Sequence, residues 1–92
     1  MPTCDELRTQ LAAANSALEL ASDAEAKLAL SYQVESARYY ALLLQGAPPG
    51  AINDQFIVVT AVGAAWQLAI LNRSYRQWSL GQIQIQIAMG GC

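Results

Sequence analysis

The sequence predicts a mainly α-helical protein: a small bundle of two or three helices, the third strongly apolar, with a short C-terminal β-strand that pairs with another chain. Three patterns predict this fold class. Apolar residues recur at alternating spacings of three and four before residue 45, a nearly uninterrupted apolar run occupies residues 54–71, and glutamine alternates with isoleucine at 82–87. The 92 residues are expected to form a single domain, 1–92.

The composition predicts more apolar surface than one copy of the chain can hide. Hydrophobic residues make up 54% of the sequence and charged residues only 13%. A chain of this length buries only about 60–65% of the surface that its unfolded state exposes. Other copies, another protein or a lipid surface are therefore expected to cover the remainder.

The first helix is predicted over about residues 4–21. Thr3 and Glu6 have the spacing of a capping box, in which each side chain binds the backbone N–H of the other residue. The apolar residues that follow form a seam typical of a helix that packs along one partner at a shallow angle. This seam consists of Leu7, Leu11, Ala14, Leu18 and Ala21.

A second helix is predicted over about residues 23–45, because Ser22 and Glu25 repeat the capping-box spacing. Neither glycine nor proline separates the two segments, so one helix of about forty residues is the alternative. Its seam would continue through Leu28, Tyr32, Tyr39 and Leu42. A further apolar stripe on the second segment consists of Leu30, Val34, Ala37, Ala41 and Leu44.

Residues 46–52 contain two prolines and two glycines, which predict a loop where the chain turns back.

The third helix is predicted over about residues 53–78. Its apolar residues fall on every side of the helical wheel, which is typical of a helix buried in protein or embedded in a membrane. Residues 55–71 would span roughly 25 Å, against about 30 Å for the hydrocarbon core of a bilayer. Arg73 and Arg76 would match a cytoplasmic flank. Burial in protein is the preferred interpretation, and a single membrane span is the alternative.

The C-terminal alternation predicts a β-strand over about residues 82–88. Ile83, Ile85 and Ile87 would form its apolar face. A single strand leaves its backbone hydrogen-bonding groups without partners, so we expect it to pair with another chain.

The sequence contains no pattern that predicts catalysis. Histidine is missing, and no base lies near either cysteine in sequence, so the common nucleophile–base arrangements cannot be assembled. We expect no enzyme, no cofactor and no metal site. Residues 73–78 interleave two arginines with aromatic residues, but the net charge of -2 does not favour nucleic acid as a partner.

The two cysteines, Cys4 and Cys92, lie near the ends of the chain. Free thiols in a reducing compartment are the expected state, and a disulfide between the ends stays open as the alternative. The first ten residues are polar and acidic, which is not the pattern of a secretory signal peptide.

Residues 79–85, with the sequence SLGQIQI, follow directly after an arginine-rich segment. In this last third the chain resembles the small all-helical head–tail adaptor (connector, or neck) proteins of tailed bacteriophages, in which a serine-x-glycine turn leads into a short alternating tail. The resemblance implies a homo-oligomer, plausibly a ring, that docks on other virion structural proteins after assembly in the host cytoplasm. It also implies that Ile83, Ile85 and Ile87 form the docking strand and that residues 73–78 lie near an interface.

The sequence thus predicts a non-enzymatic structural or assembly protein, a homo-oligomeric virion component of the adaptor type. The expected interface residues are Leu7, Leu11, Leu18, Arg73, Arg76, Trp78, Ile83, Ile85 and Ile87. Two alternatives of other classes stay open. One is a small single-span membrane protein built on residues 55–71, and the other is a cellular helical module that binds other proteins.

Overall fold

The computed structural model describes residues 2–92 as two antiparallel α-helices joined by a short turn. Helix α1 spans Cys4–Leu44 and helix α2 spans Pro49–Met89, each 41 residues long. The hairpin measures 65 × 15 × 14 Å. It is therefore a rod that is two helices thick, and residues 2–92 contain no β-strand.

The predicted bundle with a C-terminal strand is wrong, and its first two helices are one. Ser22 and Asp23 lie inside α1, so the predicted break between residues 21 and 23 does not exist. The single long helix that the sequence left open as the alternative is the observed one. Its predicted start is confirmed, since Thr3 Oγ1 accepts a hydrogen bond of 3.1 Å from the Glu6 backbone N–H.

The turn is shorter than the predicted loop at 46–52. Gly46 has a φ of 65°, and the N–H of Ala47 donates to the Leu42 carbonyl at 3.0 Å, which is the pattern of a Schellman C-terminus. Pro49 occupies the first position of α2, where the missing N–H has no helical partner to lose. Helix α2 therefore begins four residues before the predicted start at 53.

The predicted strand at 82–88 is helical, because α2 continues past the predicted end at 78 to Met89. A helix satisfies its backbone groups internally, whereas a lone strand would leave them unpaired. In the helix, Ile83 and Ile87 are four residues apart and share the half-buried face toward α1, while Ile85 is 52% exposed. The glutamine–isoleucine alternation therefore places its isoleucines on two sides of one helix.

The two helices meet along a seam with the 3.5-residue repeat of a coiled coil. The predicted α1 seam and its continuation are confirmed, since all of these residues are buried or half-buried. The facing residues of α2 are Ile52, Gln55, Val59, Val62, Trp66, Ala69, Arg73, Leu80, Ile83 and Ile87. Among the residues described, only Leu7 and Ala21 are fully buried hydrophobics. Two helices can cover only one stripe of each other, so the hairpin has almost no core of its own.

Candidate interaction surface

Near the turn, polar side chains connect the two helices across the seam. The amide nitrogen of Gln55 donates to the Glu35 backbone carbonyl at 2.9 Å and to Glu35 Oε2 at 2.7 Å. Arg38 donates to the other carboxylate oxygen of Glu35 at 2.9 Å. Since hydrogen bonds to a charged group are stronger than neutral ones, this cluster helps to fix the register of α2 against α1.

Farther from the turn, Glu25 of α1 forms an ion pair with Arg73 of α2. Both side chains lie in the seam and are partly shielded from water. The structure therefore places Arg73, one of the predicted interface residues, against the chain's own first helix.

Aromatic side chains pack across the seam, one pair between these two polar contacts and one pair beside the contact near the turn. The rings of Tyr32 and Trp66 lie 5.3 Å apart, and those of Tyr39 and Phe56 lie 5.9 Å apart. A Cβ atom built at Gly63 would lie 3.2 Å from a ring carbon of Tyr32. The absence of a side chain at Gly63 thus leaves room for this ring between the helices.

At the open end of the hairpin, Cys4 and Cys92 form a disulfide with a Cα–Cα distance of 5.8 Å. The expectation of free thiols is therefore wrong. Because α1 and α2 have equal lengths, the C-terminal cysteine returns to the level of the N-terminal one. The turn at one end and the disulfide at the other therefore make the hairpin a closed loop of chain.

The predicted interface residues fall into two groups. Leu7, Leu11, Leu18, Arg73, Ile83 and Ile87 lie on the seam between α1 and α2. Arg76, Trp78 and Ile85 are exposed on α2. The first group is buried or partly covered by the opposite helix, whereas the second group is exposed.

The outward faces of both helices carry large apolar side chains, and fifteen large apolar side chains are exposed among residues 2–92. On α1 the predicted stripe of Leu30, Val34, Ala37, Ala41 and Leu44 faces away from α2. On α2 a longer set of residues also lies away from the seam, and we name it the α2 outer stripe. It consists of Ile57, Ala61, Ala64, Leu68, Leu71, Tyr75, Trp78, Gln82, Ile85 and Met89.

The sequence interpretation missed the α2 outer stripe as a separate surface, although its spacing alternates between four and three like that of the α1 seam. The pattern was hidden because residues 56–71 are apolar on every side and residues 82–87 alternate. Helix α2 in fact carries two apolar stripes, one toward α1 and one away from it.

The structure also describes the groups available for metal binding and one cleft. Across residues 2–92 no three histidine, cysteine, aspartate or glutamate side chains lie close enough together to hold a metal ion. A cleft of about 500 Å³ at the open end is lined by Pro2, Leu7, Gln86, Met89 and Gly90.

One helix, α2, is long and apolar enough to cross a membrane, and none of its most apolar window is buried in the hairpin. Length and composition alone are weak indications of a span, because the core helices of soluble proteins share them.

Comparison with known proteins finds no family model that matches this chain, and no curated protein or solved structure with significant similarity to it.

Proposed function

We propose that this chain is a non-enzymatic structural protein whose hairpin is completed by side-by-side packing with other hairpins. One observation carries the proposal: within residues 2–92 only Leu7 and Ala21 are fully buried hydrophobics, while fifteen large apolar side chains stay exposed. Burial of one such side chain contributes about 1.5–3 kcal/mol. A partner surface that covered even a few of them would therefore add as much free energy as a small domain has in total.

Helix-on-helix folds become stable when each helix buries a broad stripe, which usually needs three or four helices around one core. This hairpin supplies two. Packing of a second hairpin against it would produce a four-helix assembly without any further element from the chain.

A virion component of the head–tail adaptor type is the most specific form of the proposal. In that form the hairpins would be the subunits of a ring held together by helix packing. The docking strand implied by the resemblance is not part of it, because residues 82–88 are helical. The disulfide between Cys4 and Cys92 is compatible with a virion, since disulfides persist on virion and cell surfaces and in secreted proteins.

Membrane insertion is the second candidate, and the apolar character of α2 favours it. The closed loop formed by the turn and the disulfide argues against membrane insertion. Since the turn and the disulfide tie both ends of α1 to α2, α2 cannot cross a bilayer unless α1 crosses beside it. The part of α1 level with the apolar run of α2 contains Glu25, Lys27, Glu35 and Arg38. Each charged residue costs about 2.5–3.5 kcal/mol at the centre of a membrane helix.

Light scattering coupled to size-exclusion chromatography tests the proposal on the intact, oxidised protein. We expect a soluble particle of at least twice the 9.9 kDa mass of one chain. Negative-stain imaging then tests for rings. A soluble monomer at all concentrations would overturn the proposal, and a protein recovered only with detergent would support membrane insertion instead.

A further inference from the structure

The α2 outer stripe has the repeat of a coiled-coil seam and no partner within the chain. Its spacing alternates between four and three without a break from residue 57 to residue 89, a length of about 48 Å at about 1.5 Å per residue. Nine of its ten residues are apolar or aromatic, Gln82 is the exception, and all ten are exposed. An ideal helix drifts by about 20° per heptad from such a repeat, so a stripe kept in register over this length indicates a facing helix.

The residues beside the C-terminal half of the stripe argue against lipid as its cover. Most of the neighbouring side chains there carry hydroxyl or amide groups, namely Asn72, Ser74, Gln77, Ser79, Gln84 and Gln86, and the charged Arg76 lies 5.7 Å from the centre of the Tyr75 ring. In hydrocarbon these groups would lack hydrogen-bond partners, whereas at the edge of a protein interface water satisfies them. The C-terminal half of the stripe therefore has the apolar centre and polar rim of a contact between proteins.

The outward face of α1 does not fit the stripe along its length. At the equivalent positions of its N-terminal half, α1 exposes Ala13 and Leu20 but also Glu6, Thr9, Ser16, Asp23 and Lys27. Packing of α1 from a neighbour would place three charged and two hydroxyl side chains on the stripe, or leave part of the stripe uncovered. Within residues 2–92, the apolar surface that matches the stripe in length is the stripe of a second copy.

We propose that two copies of this chain pack α2 against α2 through the α2 outer stripe, in antiparallel orientation about a two-fold axis. The inference rests on the proposed function, for which it names the surface and the partner. The small residues Ala61 and Ala64 lie in one half of the stripe and the large rings of Tyr75 and Trp78 in the other. In an antiparallel pair with full overlap Ala61 would face Ile85, and the rings of Tyr75 and Trp78 would face Leu71 and Leu68, whereas a parallel pair would stack alanine on alanine and ring on ring.

The area of the stripe is sufficient for a specific dimer. A strip about 48 Å long and about 10 Å wide, the diameter of one helix, covers roughly 480 Å² on each copy. The pair would bury about 1,000 Å², the size at which specific protein interfaces begin. Because the same patch is used twice, the contact closes on itself and leaves the outward face of each α1 free.

A matched pair of leucine substitutions tests the surface. Leu68, in the stripe, is 67% exposed, and Leu20, on the outward face of α1, is 70% exposed. We expect Leu68→Glu to raise the dimer dissociation constant at least about 100-fold, because each dimer would bury two unpaired carboxylates. Leu20→Glu should change it less than about threefold. Analytical ultracentrifugation of the oxidised proteins measures both constants, and circular dichroism checks that the helices persist.

The measurements distinguish failure of the proposed function from failure of the dimer inference. A monomeric unsubstituted protein overturns both the proposed function and the inference. An oligomer that Leu68→Glu leaves intact overturns the inference alone. The orientation has its own test in the Ala64→Cys variant, whose introduced thiols would face each other only in a parallel pair. We expect no crosslink between them under oxidation, and efficient crosslinking would overturn the antiparallel arrangement.

Discussion

Loss of the disulfide between Cys4 and Cys92 should lower the free energy of unfolding of this hairpin by several kcal/mol. The bond joins residues separated by 88 positions, and loop-closure entropy for that length corresponds to about 4.6 kcal/mol. Disulfides removed from small domains cost about 2–5 kcal/mol in practice. Leu7 and Ala21 are the only fully buried hydrophobics among the described residues, so little else holds the open end together.

Thermal unfolding followed by circular dichroism at 222 nm, with and without a thiol reductant, measures the effect. At about 4–8 °C per kcal/mol for a domain of this size, a cost of about 2–5 kcal/mol corresponds to a fall in Tm of roughly 8–40 °C on reduction. The double variant Cys4→Ser, Cys92→Ser is the control, since it should show the lower Tm without reductant and no further change with it. A fall of less than about 5 °C would refute the view that the disulfide stabilises the hairpin. The measurement should be made at low protein concentration, because assembly raises the stability of the oxidised and the reduced protein by mass action.

Four further substitutions test how the two helices form and pack, and their effects are measured as free energies of unfolding in urea. Leu7→Ala should cost about 2–5 kcal/mol because it empties a buried site, whereas the exposed Leu20→Ala should change stability by less than about 0.5 kcal/mol; equal effects would contradict the assigned seam. Gln55→Ala should cost about 1–3 kcal/mol through the loss of two hydrogen bonds to α1 at 2.7 and 2.9 Å, and a neutral result would show that these bonds do not hold the register. Gly81→Ala should stabilise α2 by about 0.5–1 kcal/mol, since nothing lies within 4 Å of the added Cβ. Gly63→Val should instead destabilise it by about 1–3 kcal/mol, since even a Cβ there lies 3.2 Å from a tyrosine ring of α1; a stabilising valine would contradict the close approach of the helices.

The α1 seam could be predicted because a repeat of alternating threes and fours has one structural meaning, a helix that packs along a partner. The predicted helix break at Ser22 is wrong because the repeat of apolar seam residues outweighs the local capping-box spacing. Ser22 and Glu25 have capping-box spacing, yet both lie inside α1, and Glu25 uses its carboxylate for the ion pair with Arg73. A helix cap depends on where a helix ends, and here the seam residues continue on both sides of Ser22 without interruption.

The C-terminal error has a different cause. Alternation with a period of two also contains residues four apart, so Ile83 and Ile87 fit one face of a helix as well as one face of a strand. The predicted end of α2 at residue 78 is wrong because Gly81 continues the helix: glycine inside a helix costs only about 1 kcal/mol, which packing along the seam exceeds. The disulfide is only the alternative from the sequence for the same reason. Cys92 reaches Cys4 because the helix continues to Met89, and a strand at 82–88 would not place it there.

The apolar character of α2 on every side is accounted for by the proposed dimer. From the sequence, such a helix was expected to be buried in protein, yet in a single hairpin the window that could cross a membrane has no buried residue. In the proposed dimer α2 would lie between α1 on one side and α2 of the second copy on the other. Its two apolar stripes would then both be covered, and the more polar α1 would form the outside. The expectation of burial would thus be correct for the assembly, although the single chain does not fulfil it.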